Sequence, residues 1–170
     1  MQVDPVVTEG TVVGIQFEDP KCEAAWLSAF DKGENEVVTL RNAYTVTEDQ
    51  AKAFNNAAQS LGVTAFPEMR FFTGIKVLKE GMLSNLSQLS ELQLPRQLTD
   101  IDPEAFSGCS SLAEVTLPVT TTAVEPGVLD GSSIKDIYVE PRNTHFEVRD
   151  HALLTTDLDL RLMAYPPSTR

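Results

Sequence analysis

The sequence lacks the features typical of nucleic-acid-binding and membrane-spanning proteins. Lys and Arg together number 13 against 25 Asp and Glu, which gives a formal net charge of −12. Because binding to nucleic acid or to an anionic membrane surface needs clustered cations, this composition disfavours both. No stretch reaches the run of about 18 consecutive apolar residues that a membrane-spanning helix needs. We therefore expect no nucleic-acid partner and no transmembrane segment in this chain.

The sequence also has few cysteines and no recognisable export signal. The two cysteines, Cys22 and Cys109, lie in different halves of the chain, and one possible bridge is too few for a disulfide scaffold. We expect both thiols to be buried as small apolar groups. Met1 is followed at once by polar residues, so no signal peptide is visible. The sequence leaves open a cytosolic protein or a mature fragment of an exported one.

Catalytic and cofactor motifs are missing. There is no Gly-x-Ser-x-Gly elbow, no GxGxxG fingerprint and no P-loop. His145, Glu147, Asp150 and His151 are residue types that bind zinc, but the six-residue spacing of the histidines suits neither a helix face nor one face of adjacent strands. We expect no catalytic residue, no cofactor and no bound metal, and a hydrolase is the least favoured function.

A repeat of 22 to 23 residues is the most informative feature of the sequence. Each unit has apolar residues at positions 1, 4 and 6, as in Leu89, Leu92 and Leu94, and the pattern recurs from Leu112 and from Ile134. This spacing is typical of leucine-rich repeats, in which every unit adds one coil to a stack. Other residues recur between the strands and are expected to fill the core or to permit the turn to the next strand: Ile101, Phe106, Gly108, Val124, Leu129 and Gly131.

The pattern extends towards the N-terminus and changes at the C-terminus. The unit that begins 23 residues before Leu89 runs from Phe66 to Phe71, and we expect it to form an irregular first coil. Residues 148–154 and 160–165 predict two strands joined by a polar turn at 157–159. We expect this hairpin to cover the open edge of the stack.

Residues 15–65 predict two helices. Asp19 and Pro20 are typical of a helix start, and apolar residues then recur at helical spacing as far as Phe30. A second helix is predicted from near Thr47 to Leu61, because one face of that segment is apolar. These helices predict a small α-helical element before the repeats.

The loop between these helices has the outline of an EF-hand calcium loop. Asp31, Asn35 and Thr39 occupy positions that supply ligands in such loops. Asn42 stands where a bidentate carboxylate is needed, and Glu36 stands where glycine is needed. Because these changes leave too little negative charge to strip water from Ca²⁺, we expect a degenerate loop that is kept for packing.

The repeat unit resembles a known family. The pattern from Ile101 through Phe106, Cys109 and Leu112 to Pro118 is similar to the BspA-like leucine-rich repeat of bacterial surface proteins. Residues 143–153 resemble the terminal unit of that family, although glycine is absent at 150–152, and the degenerate loop resembles a small domain that often precedes such repeats. The resemblance implies export to the cell surface, a role in adhesion or host contact, and no enzyme activity. It is also compatible with a lipid anchor upstream of this chain.

The outward positions of the predicted strands form two columns of polar side chains. Alternate residues of a strand face outward, and neighbouring strands lie about 4.8 Å apart. Carboxylates placed opposite one another in this way repel each other. One hypothesis is that the face receives a cation or the basic groups of a partner, with Tyr138 as an aromatic anchor. The other, favoured because water and salt screen such rows of charge, is a solvated polar face. The first column is Glu68, Glu91, Glu114 and Asp136, and the second is Arg70, Gln93, Thr116 and Tyr138.

Together these patterns predict an α+β fold: a short leucine-rich repeat (β-solenoid) stack with an N-terminal helical element and a C-terminal β-hairpin cap. The expected divisions are a flexible segment at 1–14, the EF-hand-like helical element at 15–65, the repeats at 66–145 and the cap at 146–170. The favoured function is non-enzymatic recognition or adhesion at the cell surface, with a protein or glycan partner. The alternative is a structural or calcium-related spacer of a larger surface protein.

Overall fold

The computed structural model describes residues 14–30, 37–156 and 162–164. Within these residues, three α-helices are followed by ten short strands. The helices are α1 (Pro20–Ala29), α2 (Leu40–Tyr44) and α3 (Glu48–Leu61), and a 3-10 helix spans Pro67–Phe71. The strands are β1 (Ala65–Phe66), β2 (Val77–Leu78), β3 (Glu91–Leu92), β4 (Asp100–Ile101), β5 (Glu114–Leu117), β6 (Ala123–Val124), β7 (Asp136–Val139), β8 (Phe146–Arg149), β9 (Ala152–Thr155) and β10 (Leu162–Ala164).

The two predicted helices begin at the expected caps. The side chain of Asp19 accepts a hydrogen bond from the backbone N–H of Lys21 at 2.9 Å, which starts α1. Thr47 accepts one from the N–H of Gln50 at 3.2 Å, which starts α3. Side-chain acceptors at these positions satisfy N–H groups that a helix leaves unpaired. Both predicted helices are thereby confirmed.

Aromatic rings join the helices to the start of the repeat region. Trp26 of α1 stacks on Phe54 of α3, with ring centroids 4.1 Å apart. Phe72 lies 4.6 Å from Trp26, and Phe66 of β1 lies 6.0 Å from it. All four side chains are buried, and they belong to one hydrophobic cluster that continues through the repeats. The helical element and the repeats therefore share a core.

Two residues of the EF-hand-like loop form a helix cap. Thr39 Oγ1 accepts a hydrogen bond from the N–H of Asn42 at 3.1 Å, and Asn42 Oδ1 accepts one from the N–H of Thr39 at 2.9 Å. This reciprocal pair begins α2, a helix that the sequence analysis does not predict. Asp31 and Asn35 lie outside the described residues, so the degenerate calcium loop stays a prediction.

Parallel strands pair at the spacing of the repeat. In the sheet β2-β4-β6, Val77 pairs with Asp100 and Asp100 with Ala123, which are 23 residues apart each time. In the sheet β5-β7, Glu114 pairs with Asp136, 22 residues further on. Among the described residues, these strands and the pair β1-β3 form small separate sheets. The mixed helix and strand content is confirmed, whereas a continuous β-solenoid stack stays a prediction.

The inward positions of the repeat are mostly buried. Leu89, Leu112 and Ile134, which begin the three units, are at most 1% exposed. Leu92 and Val139 are only partly buried. Each buried aliphatic side chain contributes roughly 1.5–3 kcal/mol relative to an exposed one. Burial of these side chains is therefore a major stabilising contribution in the repeat region.

Glycines occupy the matching turns of two units. Gly108 and Gly131 have φ of 79° and 75°, a region that other residues rarely adopt. The N–H of Gly108 donates to the carbonyl of Gly131 at 2.9 Å, so the two turns lie against each other. A Cβ on Gly108 would collide with Asn85. The expected role of both glycines is confirmed.

The first coil is irregular, as expected, but its register differs from the prediction. Phe66 pairs with Leu92 across β1 and β3, whereas a 23-residue repeat would pair it with Leu89. The chain then enters the 3-10 helix instead of continuing as a strand. Glu68 is consequently buried with 0% exposure, and its Oε2 accepts a hydrogen bond from the N–H of Glu18 at 3.1 Å. The expectation that Glu68 faces outward in the carboxylate column was wrong.

The C-terminal cap has one more strand than predicted. Residues 148–154 were expected to form one strand, but the chain turns at Asp150 and His151, which have φ of 48° and 67°. This turn separates β8 from β9, which pair antiparallel. β10 pairs with β9 as the second arm of the predicted hairpin, and the polar turn at 157–159 lies outside the described residues. The single-strand prediction was wrong because two non-glycine residues adopt the left-handed conformation.

A buried asparagine links the cap to the coil before it. The side-chain amide of Asn143 donates to the carbonyls of Pro118 and Thr121, each at 2.9 Å. Its Oδ1 accepts from the N–H groups of His145 and Phe146 at 2.8 and 3.2 Å. Since a buried amide without partners would be destabilising, these four bonds fix where the cap begins.

Asp19 gives a test of the link between α1 and the repeats. Its Oδ2 also accepts from the N–H of Thr64 at 2.7 Å and from the Thr64 hydroxyl at 3.2 Å, next to β1. We expect Asp19→Ala to lower the free energy of unfolding by about 2–3 kcal/mol, since a cap and a charged acceptor are both lost. Thr47→Ala, which removes only a helix cap, should lower it by about 1 kcal/mol. Urea denaturation followed by circular dichroism measures both, and equal losses would contradict the linking role.

The contribution of Asp19 to the free energy of unfolding should depend on pH. Burial alone would raise the pKa of Asp19, but the hydrogen bonds from Thr64 and Lys21 outweigh it and hold the pKa below its usual value. The unfolded chain therefore takes up a proton first as the pH falls. The contribution of Asp19 should be complete above about pH 5 and decline as the pH falls through the lowered pKa. The difference in the free energy of unfolding between the wild type and Asp19→Ala should accordingly be smaller at pH 3 than at pH 7.

Candidate binding groove on the strand face

A concave groove lies on the outward face of the repeat strands. It has a volume of about 790 Å³. One side is formed by residues 90–94 around β3, and the other includes Glu114, Thr116 and Pro118 on and beyond β5. We call this surface the strand-face groove. Its lining includes five of the eight residues of the two predicted columns: Arg70, Glu91, Gln93, Glu114 and Thr116.

The groove lies between two sheets that do not join. β3 pairs with β1, and β5 pairs with β7, but β3 and β5 belong to different sheets among the described residues. The flanking segments are nevertheless tied, because the hydroxyls of Ser110 and Ser111 donate to the carbonyl of Ser87 at 3.2 and 2.6 Å. The lining strands are therefore held next to each other beside the groove.

Three carboxylates line the groove. Glu91 and Glu114 are exposed, and Glu114 pairs in register with Asp136 of β7. Glu140 is also exposed, and its Oε2 accepts a hydrogen bond from the N–H of Val119 at 2.9 Å. The groove thus carries negative charge on side chains that solvent, and a partner, can reach.

A further carboxylate adds negative potential next to Glu91. The charge of Glu91 raises the pKa of Glu18, and desolvation and the charges of Glu68 and Asp19 act in the same direction. Like charges that meet at short range disfavour the ionised form. Glu18 was not predicted from the sequence, because it lies far from the repeats and no motif marks it.

Arginine side chains line the groove near the first coil. The guanidinium groups of Arg70 and Arg96 lie over the ring of Phe71, at 4.6 and 5.4 Å from its centroid. Arg70 Nη1 also donates a hydrogen bond to Gln93 Oε1 at 3.0 Å, and these two residues are neighbours in the predicted second column. Arg96 was not predicted, although its position directly after Pro95, just beyond the apolar repeat positions Leu92 and Leu94, was a usable signal. The groove therefore presents both signs of charge.

The remaining predicted residues lie outside the groove lining. Tyr138 is 48% exposed and pairs in register with Thr116, so it lies one strand beyond the groove. Asp136 Oδ1 lies 3.1 Å from Nδ1 of His151, in the turn between β8 and β9. Glu68 is buried, as described above. The structure therefore brings five residues of the two columns together at the groove and leaves Glu68, Asp136 and Tyr138 outside its lining.

The residues considered for other chemistry are placed elsewhere. Glu147 pairs with Arg149 at 2.7 Å instead of meeting the histidines. The Cys22 and Cys109 thiols are buried, as predicted, and burial raises the pKa of Cys109 to about 11 and that of Cys22 further. Among residues 14–30, 37–156 and 162–164, no group of three or more metal-binding side chains could hold an ion. In the same part of the chain, no helix is long and apolar enough to cross a membrane.

Comparison with known proteins identifies the class. Residues 28–152 match the family described as BspA type leucine rich repeat region, in six copies. The chain is thus a leucine-rich repeat protein, and it belongs to the BspA-type leucine-rich repeat family. No curated protein matches the sequence significantly.

One solved structure that resembles this chain is a leucine rich cell surface protein from Faecalibacterium prausnitzii A2-165. It shares 22% identity with this chain, at a TM-score of 0.47. The match covers 61% of this chain and 26% of that protein, so the matched part spans about a quarter of the length of that protein.

Glu18 provides a test of the negative potential at the groove. Because the pKa of Glu18 is higher in the folded chain than in the unfolded chain, its ionisation opposes folding as the pH rises. We expect Glu18→Gln to raise the melting temperature at pH 7, and the gain to shrink as the pH falls to about 3, which is below the ordinary pKa of Glu, so that Glu18 is protonated in both states. Glu125→Gln, at an exposed position outside the groove, is the control. A gain of equal size at both pH values would contradict the repulsion.

Proposed function

We propose that this protein is a non-enzymatic recognition module that binds a protein partner through the strand-face groove. The observation that carries the proposal is the groove itself, a concavity of about 790 Å³ lined by five residues of the two columns. Ligand sites are concave and combine a few polar groups with a preformed shape. Membership of the BspA-type family supports an interaction role.

A protein partner fits the groove better than a glycan. Sugar rings commonly stack on exposed aromatic side chains, but Phe71 is buried beneath two guanidinium groups, and Tyr138 lies outside the lining. The lining instead offers carboxylates, guanidinium groups and amides, with Val119 as an exposed apolar side chain. Mixed charges with small apolar patches are typical of the surfaces that proteins use for one another.

The proposed location is the cell surface. Support comes from the BspA-type repeat, since the family resemblance implies export, with a lipid anchor upstream as one means of attachment. Adhesion and host contact belong to the same proposal. A structural or calcium-related spacer is less well supported, because Thr39 and Asn42 use their side-chain oxygens to cap α2. Calorimetry with Ca²⁺ tests that alternative, which requires measurable heat of binding.

Filling the groove tests the proposed function. Thr116 is exposed on β5 and lines the groove, so Thr116→Trp should block it without disturbing the core. Peptides are first selected from a randomised displayed library on the wild-type protein. We expect Thr116→Trp to weaken their binding at least about tenfold, which corresponds to roughly 1.4 kcal/mol. Biolayer interferometry measures the affinities.

The matched control is Ala123→Trp, which places the same side chain at an exposed position on β6. It should leave binding unchanged. A glycan array is run in parallel with the peptides. Ligands found only on the glycan array, and lost in Thr116→Trp, would replace the protein partner with a glycan. If neither the peptide library nor the glycan array yields a ligand whose binding is weakened by Thr116→Trp, the groove is not the binding site.

A further inference from the structure

Resting on the proposed function, we propose that the strand-face groove selects an extended peptide segment rich in Lys or Arg. The cationic side chains of this segment pair with Glu91 and Glu114, and its backbone runs along the exposed edge of β5. This assigns a chemical class to the partner. It also gives the carboxylates of the predicted first column a role at the two positions where the groove exposes them.

The charge around Glu91 is the first support. Glu91 and Glu114 are exposed in the groove, Glu140 lines it as well, and Asp136 is the register partner of Glu114. Glu18 lies close enough to Glu91 for the charge of Glu91 to raise the pKa of Glu18. Carboxylates this close repel one another, and a cationic partner would relieve the repulsion. The groove is therefore complementary to positive charge at this end.

The carboxylates are suited to separate cationic groups rather than to one metal ion. A metal needs several ligand oxygens converging within about 2.0–2.6 Å of one point. Within the described part of the chain, no three acidic, histidine or cysteine side chains converge in that way. The carboxylates are instead spread over separate strands: Glu114 and Asp136 are register partners on paired strands, roughly 4.8 Å apart, and Glu91 lies on β3, which forms no ladder with β5. A peptide with several Lys or Arg side chains supplies charges that are distributed in the same manner.

The backbone of β5 supports an extended peptide. The carbonyl of Leu117 accepts a hydrogen bond from the N–H of Glu140 at 3.0 Å. Leu117 therefore directs its backbone N–H and C=O groups towards β7. Successive residues of a strand direct their backbone groups to alternate sides. Glu114 and Thr116 therefore direct theirs away from β7, towards β3, with which β5 forms no ladder. Strand edges of this kind are recognised by extended segments through main-chain hydrogen bonds.

The arginines at the other end of the groove give the ligand a direction. Arg70 and Arg96 lie against Phe71 near the first coil, whereas Glu114 and Glu140 belong to later units. Acidic groups of a peptide would be repelled by the carboxylate of Glu114. Basic groups of a peptide would be repelled by the guanidinium group of Arg70. We expect the basic residues to lie over the β3–β5 carboxylates. Tyr138, exposed beside Thr116, would then contact the aliphatic part of a Lys or Arg side chain.

The test uses three blocked synthetic peptides of about eight residues, in which Thr alternates with Lys, with Gln or with Glu, and spermine as a non-peptide cation. Isothermal titration calorimetry measures their binding to the wild type, to Glu91→Gln/Glu114→Gln and to Glu80→Gln/Glu125→Gln. The two double variants carry the same net charge, and Glu80 and Glu125 are exposed outside the groove. Any attraction that depends only on the overall acidity of the chain therefore affects both variants equally.

We expect the Lys peptide to bind the wild type and the control variant, and to bind the groove variant roughly tenfold more weakly, as two exposed ion pairs would allow. Raising the NaCl concentration from about 50 to about 500 mM should weaken the binding, because salt screens exposed charges. The Glu and Gln peptides should bind more weakly than the Lys peptide. Spermine should bind more weakly than the Lys peptide as well, since it cannot pair with the strand edge.

Three outcomes would overturn the inference: no binding of the Lys peptide, equal binding to the two double variants, or spermine that binds as well as the peptide. These are distinguishable from a failure of the proposed function. If library-selected peptides lose affinity in Thr116→Trp but not in Glu91→Gln/Glu114→Gln, the groove is the recognition site and its ligand is not basic. If no ligand responds to Thr116→Trp, the proposed function itself is wrong.

Discussion

The structure depends on the alignment of successive repeat units in parallel, at a spacing of 22 to 23 residues. The pairings of β2-β4-β6 and β5-β7 fix that alignment, and they bring the aliphatic residues of each unit to the same side. A slip of one residue would exchange the inward and outward positions of an entire strand. The same constraint that buries Val115 and Leu117 therefore exposes Glu114 and Thr116. The core and the outward face are two consequences of one register.

The outward face contains repulsion that the core does not require. Glu18 meets Glu91 near the start of the repeats, the buried Glu68 lies close to Glu18, and the raised pKa of Glu18 reflects the proximity of these charges. Side chains at outward strand positions could be replaced without loss of buried apolar area, so packing does not account for the carboxylates. Destabilising charge arrangements are a recognised feature of functional surfaces. This is the physical ground for relating the groove to recognition rather than to stability.

Much of the fold follows from local patterns, and the errors have local causes. Asp19 and Thr47 mark helix starts through side-chain acceptors, and the repeat spacing predicts the inward residues from Leu89 onwards. The Glu68 prediction failed because the chain after β1 forms a 3-10 helix, which a repeat count cannot detect. The cap was misjudged because Asp150 and His151 turn without the expected glycine. In both places, a tertiary contact or a strained turn overrides the sequence pattern.

The repeat class, the two longer helices and the candidate face follow from the order of residues alone, because hydrophobic spacing and helix caps act over short stretches of chain. The sequence also supplied five of the residues that line the groove. The three-dimensional fold was needed to show which members of the columns meet, that Glu68 is buried, and that Glu18 and Arg96 lie at the same surface as the repeats. Those outcomes depend on residues far apart in the chain, whose proximity is set by strand register and by the packing of α1 against the first coil.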